Sequence, residues 1–152
     1  MSIKHDIEEQ PATCPYRLLI PVAKYTTLKR GMFQEVREAS RHPKLYTEMA
    51  DAWEERINGQ PQKDYIFAQQ GFLWGASPKR VVVIPVKPKS LEMPTVPIDV
   101  IASKLVVACR KYGCAELAVA KHLWRNQRYT MEQVQELIDT LEKGGVTVHE
   151  YE

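Results

Sequence analysis

No apolar run in this 152-residue chain approaches the ~20 residues that a membrane-spanning helix needs. The opening stretch, MSIKHDIEEQ, lacks the apolar middle of a signal peptide. The three cysteines, Cys14, Cys109 and Cys114, show neither CxxC spacing nor a metal-ligand pattern, which leaves reduced thiols. Cys109 falls on the apolar side of a helical pattern and reads as core. The four histidines, His5, His42, His122 and His149, lie far apart with no i, i+4 pair, which argues against a metal site. A formal charge of +2 is too small to imply nucleic acid by itself. There is no internal repeat and no low-complexity tract. These absences describe a soluble protein, expected in the cytoplasm, with no membrane association, no cofactor and one domain over residues 1–152.

What is present is organised around Lys79-Arg80-Val81-Val82-Val83-Ile84-Pro85-Val86-Lys87. A continuous, mostly β-branched apolar run predicts a strand covered on both faces, the central strand of the domain. Pro85 has no N–H for a ladder, so pairing is expected to weaken there. Lys87 then emerges beyond the carboxyl end of a buried strand, where ligands of open α/β sheets sit.

Residues 1–15, with Pro11 and Pro15, allow at most a short edge strand near Ile3. Tyr16 to Val22 reads as a buried strand, and Lys24 to Arg30 as a polar, basic loop. Gly31 opens a helical pattern with Met32, Phe33, Val36 and Ala39 inward, broken by Pro43. A second helix over about 44–57 places Leu45, Met49, Ala52 and Trp53 on one face, and Asn58-Gly59-Gln60-Pro61 is a loop. Tyr65 to Gln69 reads as a short strand, and 71–77 as a connection carrying Trp74. Residues 88–97 are extended by their prolines. Ile98 to Tyr112 is a helix with Ile101, Leu105 and Ala108 inward, closed by Gly113. Glu116 to Val119 is a strand, and Lys121 to Arg128 a polar, basic connection. Thr130 with Gln133 resembles a capping box that starts a helix through Leu141, with Val134, Leu137, Ile138 and Leu141 inward. Gly144-Gly145 ends it and VTVHEY is the last strand. The alternation predicts a three-layer α/β/α domain with a mixed, mostly parallel central sheet.

This order of elements, together with Ile20-Pro21-Val22-Ala23, Gly31-Met32-Phe33, Ile84-Pro85-Val86-Lys87, Ser103-Lys104-Leu105 and the run Leu117 to Val134, resembles a macro domain, the ADP-ribose-binding fold. The resemblance extends from about Tyr16 to the closing VTVHEY. It is nearest to the branch of small hydrolases that remove ADP-ribose from esters or DNA bases. It rests on element order more than on identity. It implies a cleft for an ADP-ribose-like, phosphate-bearing nucleotide, with Asp6, Lys24, Lys29, Arg30, Gly31, His122, Trp124 and Arg125 as candidate ligand-binding residues. Lys87 would be the Schiff-base nucleophile of that branch, a role that requires a lowered pKa. The alternative for Lys87 is a solvated lysine at a strand end.

The departures from the family are as informative. Ile20 and Ala23 replace the two asparagines of its Asn-Pro-Val-Asn strand end. Thr26, Thr27, Leu28, Lys29 and Arg30 stand where glycines let backbone approach a diphosphate, with only Gly31 kept. Leu123-Trp124-Arg125 replaces a Gly-Cys-Gly loop, and Gln127 occupies the position of the branch's aspartate, where it cannot act as a base. Losing several phosphate contacts at ~1–3 kcal/mol each would weaken ADP-ribose binding by orders of magnitude. The expected protein is therefore a divergent macro-like domain that binds a nucleotide-like ligand or a protein partner without efficient hydrolysis. The alternatives are an ADP-ribosyl hydrolase using Lys87, and a nucleic-acid-binding module. The latter would use Lys24, Lys29, Arg30, Lys121, Arg125 and Arg128, whose cations match phosphate oxygens. His122 reads as a loop histidine or a base. Trp124 reads either as a stacking platform or as a plug where the glycines should be. A small chain with a degraded enzyme site suits a phage or mobile-element factor.

Overall fold

A computed structural model describes residues 2–23, 28–54, 81–87 and 96–152. Five strands, β1 (Ser2–Lys4), β2 (Arg17–Ala23), β3 (Val81–Lys87), β4 (Glu116–Ala120) and β5 (Thr147–Tyr151), form one sheet in the order β1-β5-β4-β2-β3. All four pairings are parallel. The antiparallel component expected of a mixed sheet is not found among the described strands. Among the described residues the α-helices are α1 (Gly31–Ala39), α2 (Pro43–Trp53), α3 (Ile98–Tyr112), α4 (Lys121–Asn126) and α5 (Met131–Lys143). The strand expected over 65–69 and the Trp74 connection lie outside the described residues, as do Lys79 and Arg80.

Parallel strands need crossovers, and these are right-handed. The path from β2 through α1 and α2 to β3 moves one way along the sheet. The path from β3 through α3 to β4, and on through α5 to β5, moves the other way. Right-handed crossovers therefore put α1 and α2 on one face and α3 and α5 on the other. Each pair also packs within itself, α1 on α2 and α3 on α5. The result is a three-layer α/β/α domain.

The apolar runs earn their burial on both faces. Leu18, Leu19 and Ile20 of β2, Val81 to Ile84 of β3 and Leu117 to Ala120 of β4 are all buried. β3 is nevertheless not the central strand: among the described strands it stands last in the order, paired with β2, and β4 holds the middle. A run of valines reports cover above and below, not the number of neighbours beside it. At Pro85 the β2–β3 register does shift: Pro85 pairs Val22, but Lys87 pairs Ala23.

The helices follow their local signals. Thr130 caps α5 by accepting from the Gln133 N–H at 3.1 Å, while the Thr130 N–H donates to Gln133 Oε1 at 2.8 Å. Val134, Leu137, Ile138 and Leu141 are buried as their spacing predicts. α3 buries Ile101, Leu105 and Ala108, and Cys109 lies in the core. In α2 the buried face is Tyr46, Met49, Ala50 and Trp53, so Leu45, expected inward, is exposed. The Tyr46 ring meets Phe33 edge-on at 5.7 Å, which fixes the rotation of α2 against α1. Ala39, at the end of α1, is also exposed rather than inward.

Candidate functional site

The two crossover directions meet between β2 and β4, the switch point where open α/β sheets bind ligands beyond their carboxyl ends. β2 pairs β4 only over Arg17–Leu19, against Leu117 to Val119, and the two strands then part. Beyond the split lies a cavity of about 260 Å³ whose lining includes Pro21, Ala23, Arg30, Met32, Leu123 and Gln127.

One wall is the amino end of α1. Leu28 is buried and anchors the approach, while Lys29 and Arg30 are exposed. Arg30 is the N-cap residue, extended at φ −140° and ψ 173°, and supplies no side-chain cap. Arg30 thus gives the first N–H groups of α1 no acceptor from its own side chain, at the positive end of the helix dipole. Gly31 has φ +66°, and a Cβ built on it would meet nothing within 4 Å. The glycine is required by backbone conformation, and the space around it is open.

The other wall is α4. Lys121 to Arg128, read as a loop, is helical as far as Asn126. It contains no glycine or proline, and one helical turn lets Trp124 point inward. Trp124 is fully enclosed, its ring 5.6 Å from that of Tyr129. It presents no stacking face to solvent and is not among the residues that line the cavity. The Tyr129 hydroxyl donates to the Val96 carbonyl at 2.8 Å, and burial pushes its phenol pKa up. Lys121, counted with the free cations, is not free. Its ammonium lies 3.0 Å from Glu150 Oε1 and 3.6 Å from Glu152 Oε1. Burial works to raise the Glu150 pKa, but hydrogen bonds from Ser2 and Lys121 and the charges of Lys121 and Lys4 outweigh it and hold the carboxyl below its ordinary value. His122 Nδ1 is 2.7 Å from the Glu152 backbone carbonyl, so that nitrogen donates. His122 is tied to the residue that follows the last strand and does not line the cavity.

Three predicted residues do reach the cavity: Arg30, Gly31 and Gln127. Gln127 Oε1 is shielded from solvent with no hydrogen-bond partner among the described residues. Arg125 and Arg128 are exposed on the rim, Arg128 in the left-handed region at φ 74°. The backbone of Lys87 pairs with Ala23, at the cavity end of the sheet. Asp6 is exposed in the turn after β1 and does not line the cavity. Lys24 lies outside the described residues.

Sequence spacing missed one constellation entirely. His5 Nε2 and His149 Nδ1 are 3.0 Å apart, with Glu9 Oε2 at 2.7 Å from His5 Nδ1 and Glu116 Oε1 at 3.0 Å from His149 Nε2. Tyr16 stacks on His149 and Tyr151 on His5, with ring centroids 3.4 and 4.4 Å apart. The pairing of Ile3 with His149 brings the two histidines together, and nothing in the sequence announces that register. Among the described residues no three His, Cys, Asp or Glu side chains are grouped to hold a metal ion, and no helix is long and apolar enough to cross a membrane.

The chain matches no protein-family model and no curated protein. In three dimensions it is similar to the macrodomain of Thermus aquaticus DarG, with a TM-score of 0.62 and 18% sequence identity over 100% of this chain and 99% of that one. The chain has the macrodomain fold, in a divergent form.

Proposed function

We propose that this chain is a macro-like module that binds a nucleotide-like, phosphate-bearing ligand related to ADP-ribose in the cleft beyond β2 and β4, without efficient hydrolysis. The observation that carries this reading is the cavity of about 260 Å³ at the switch point, walled by the uncapped amino end of α1. A phosphate there would take the N–H groups of the first turn. Lys29 and Arg30 would supply the charge-assisted hydrogen bonds that a glycine loop supplies through backbone in the resembled family. Gln127, neutral and unable to abstract a proton, fits a hydrogen bond to a sugar or base better than catalysis. In this reading the module works in the cytoplasm, its ligand free or carried on a protein partner, and its size suits a phage-carried factor.

One observation favours a second reading, an ADP-ribosyl hydrolase. Lys87 ends β3 in register with Ala23, which lines the cavity. A lysine there attacks a sugar carbon only if its pKa is lowered, by desolvation or by a neighbouring cation.

Calorimetric titration with ADP-ribose tests both. Binding at roughly micromolar Kd is expected. Gly31→Val, which disfavours the left-handed turn, should weaken it by about tenfold or more, while Lys87→Ala should leave it within about threefold. The wild type should release no ADP-ribose from modified protein or DNA. Release abolished by Lys87→Ala would replace the first reading with the second. No binding at millimolar ligand would retire both. Association with DNA or RNA that collapses with salt and with Arg125→Ala would then point to the exposed rim cations.

A further inference from the structure

The opposite end of the sheet carries a second reactive constellation, independent of the ligand reading. α3 stops at Gly113, left-handed at φ 66° and ψ 31°, whose N–H donates to the Cys109 carbonyl. The N–H of Cys114 donates to the same carbonyl at 2.8 Å. A helix that ends this way brings the side chain just past the glycine against the one on its last full turn, a contact usually made by two apolar residues. Here both are cysteines, and the helix stop holds them close enough for the two thiols to interact. Cys109 is buried and Cys114 half-buried, so only the second is open to a small reagent. Arg17, at the start of β2, hydrogen-bonds the Cys114 side chain. The Cys114 sulfur also lies 3.2 Å from the Glu116 carbonyl, which accepts its proton when the thiol is neutral.

We propose that Cys114 and Cys109 form a peroxide-responsive thiol pair, with Cys114 the attacking thiolate and Cys109 the resolving thiol. The Cys114 thiolate attacks one oxygen of a peroxide. The O–O bond breaks, hydroxide (or alkoxide) leaves, and Cys114 holds a sulfenic acid. The Cys109 sulfur then attacks the Cys114 sulfur. Its proton joins the departing hydroxyl, water leaves, and the S–S bond forms. Overall two thiols give up two electrons and the peroxide takes them.

The electrostatics divide the roles in the same way. The hydrogen bond from Cys109 holds the Cys114 thiol below its ordinary value against the effect of burial, and the Arg17 guanidinium acts in the same direction. That same bond, and burial after it, push the Cys109 thiol up. The site is remote from the cleft: Cys114 precedes the amino end of β4, and the cavity lies beyond the carboxyl ends. The new bond would staple the end of α3 to the start of β4.

The sequence supplies a clean assay. Cuts after Arg17, Lys104, Arg110, Lys111 and Lys121 place Cys14, Cys109 and Cys114 in three different tryptic peptides. Purified full chain treated with limiting hydrogen peroxide should yield the 105–110 peptide joined to the 112–121 peptide, in monomeric protein, reversibly with dithiothreitol. Iodoacetamide at neutral pH should label Cys114 at least about tenfold faster than Cys14 or Cys109 in the reduced protein. Cys109→Ser should leave a dimedone-reactive sulfenic acid on Cys114. Links only between chains, a link through Cys14, or equal labelling of all three thiols would overturn the proposal. The peroxide and iodoacetamide measurements use the unaltered chain and do not depend on how the variant folds.

Discussion

After β2 the chain passes Leu28, Lys29 and Arg30 into an uncapped helix start. After β4 it turns at once into α4, where Lys121 joins two carboxylates and Trp124 is enclosed in the core. In sequence these are two basic loops of similar composition. In the fold one leaves Lys29 and Arg30 exposed at a helix start that Arg30 does not cap, with Arg30 lining a cavity, and the other holds its first cation in ion pairs and buries its aromatic ring. Charge in a sequence thus reports supply, and only the neighbours decide how much is left for a ligand.

The largest expected effect that sharpens this contrast comes from the closed rim. Trp124→Ala should destabilise the fold by about 3–5 kcal/mol, as removal of a fully enclosed ring does, with an unfolding midpoint lower by roughly 10 °C. An unchanged midpoint would mean that the enclosed indole contributes little to packing. Next comes Glu150→Gln, which leaves Lys121 with only the looser Glu152 and should cost about 2 kcal/mol in urea unfolding at neutral pH. The Glu150 carboxyl sits below its ordinary value in the fold. Its contribution is therefore present above the unfolded carboxylate pKa and is lost as pH falls through the lower folded value. The wild type should lose stability across that acid window, and Glu150→Gln should flatten the loss. The smallest effect belongs to the open rim. Lys29→Ala with Arg30→Ala should shift stability by less than about 0.5 kcal/mol, because both side chains are exposed. A larger loss would show that this rim, too, is structural.

Much of the fold was legible because its signals are local. The Thr130–Gln133 box, the Gly113 stop and the heptad-like spacing of Val134, Leu137, Ile138 and Leu141 each need only neighbours in sequence. The place of β3 was not legible, since an apolar run does not encode which strand lies beside it. The burial of Trp124 was one of two sequence readings, and a six-residue helix has too short a period to decide between them. The Lys121–Glu150 pair and the His5–His149 contact join distant positions and depend on strand register. At the candidate site, Gly31 and Gln127 came from resemblance, and the basic character of both rims from composition. The Cys109–Cys114 contact was already written in the glycine between them, once that glycine is taken as a helix stop and both flanking residues are followed in space.

The two prolines at the cleft carry a mechanical meaning. Pro21 pairs Ile84, and Pro85 pairs Val22, so two adjacent strands each offer one donor fewer over the same short stretch, beside the register shift. β2 has already left β4 by that point. Among the described residues the mouth of the cavity is therefore framed by backbone with fewer ladder hydrogen bonds than the sheet below it. A ligand is expected to widen this mouth more easily than it could part the ladders further down the sheet. The expected behaviour is that of the open teeth of a zip whose slider is fixed below: yielding at the rim and stiff at the base.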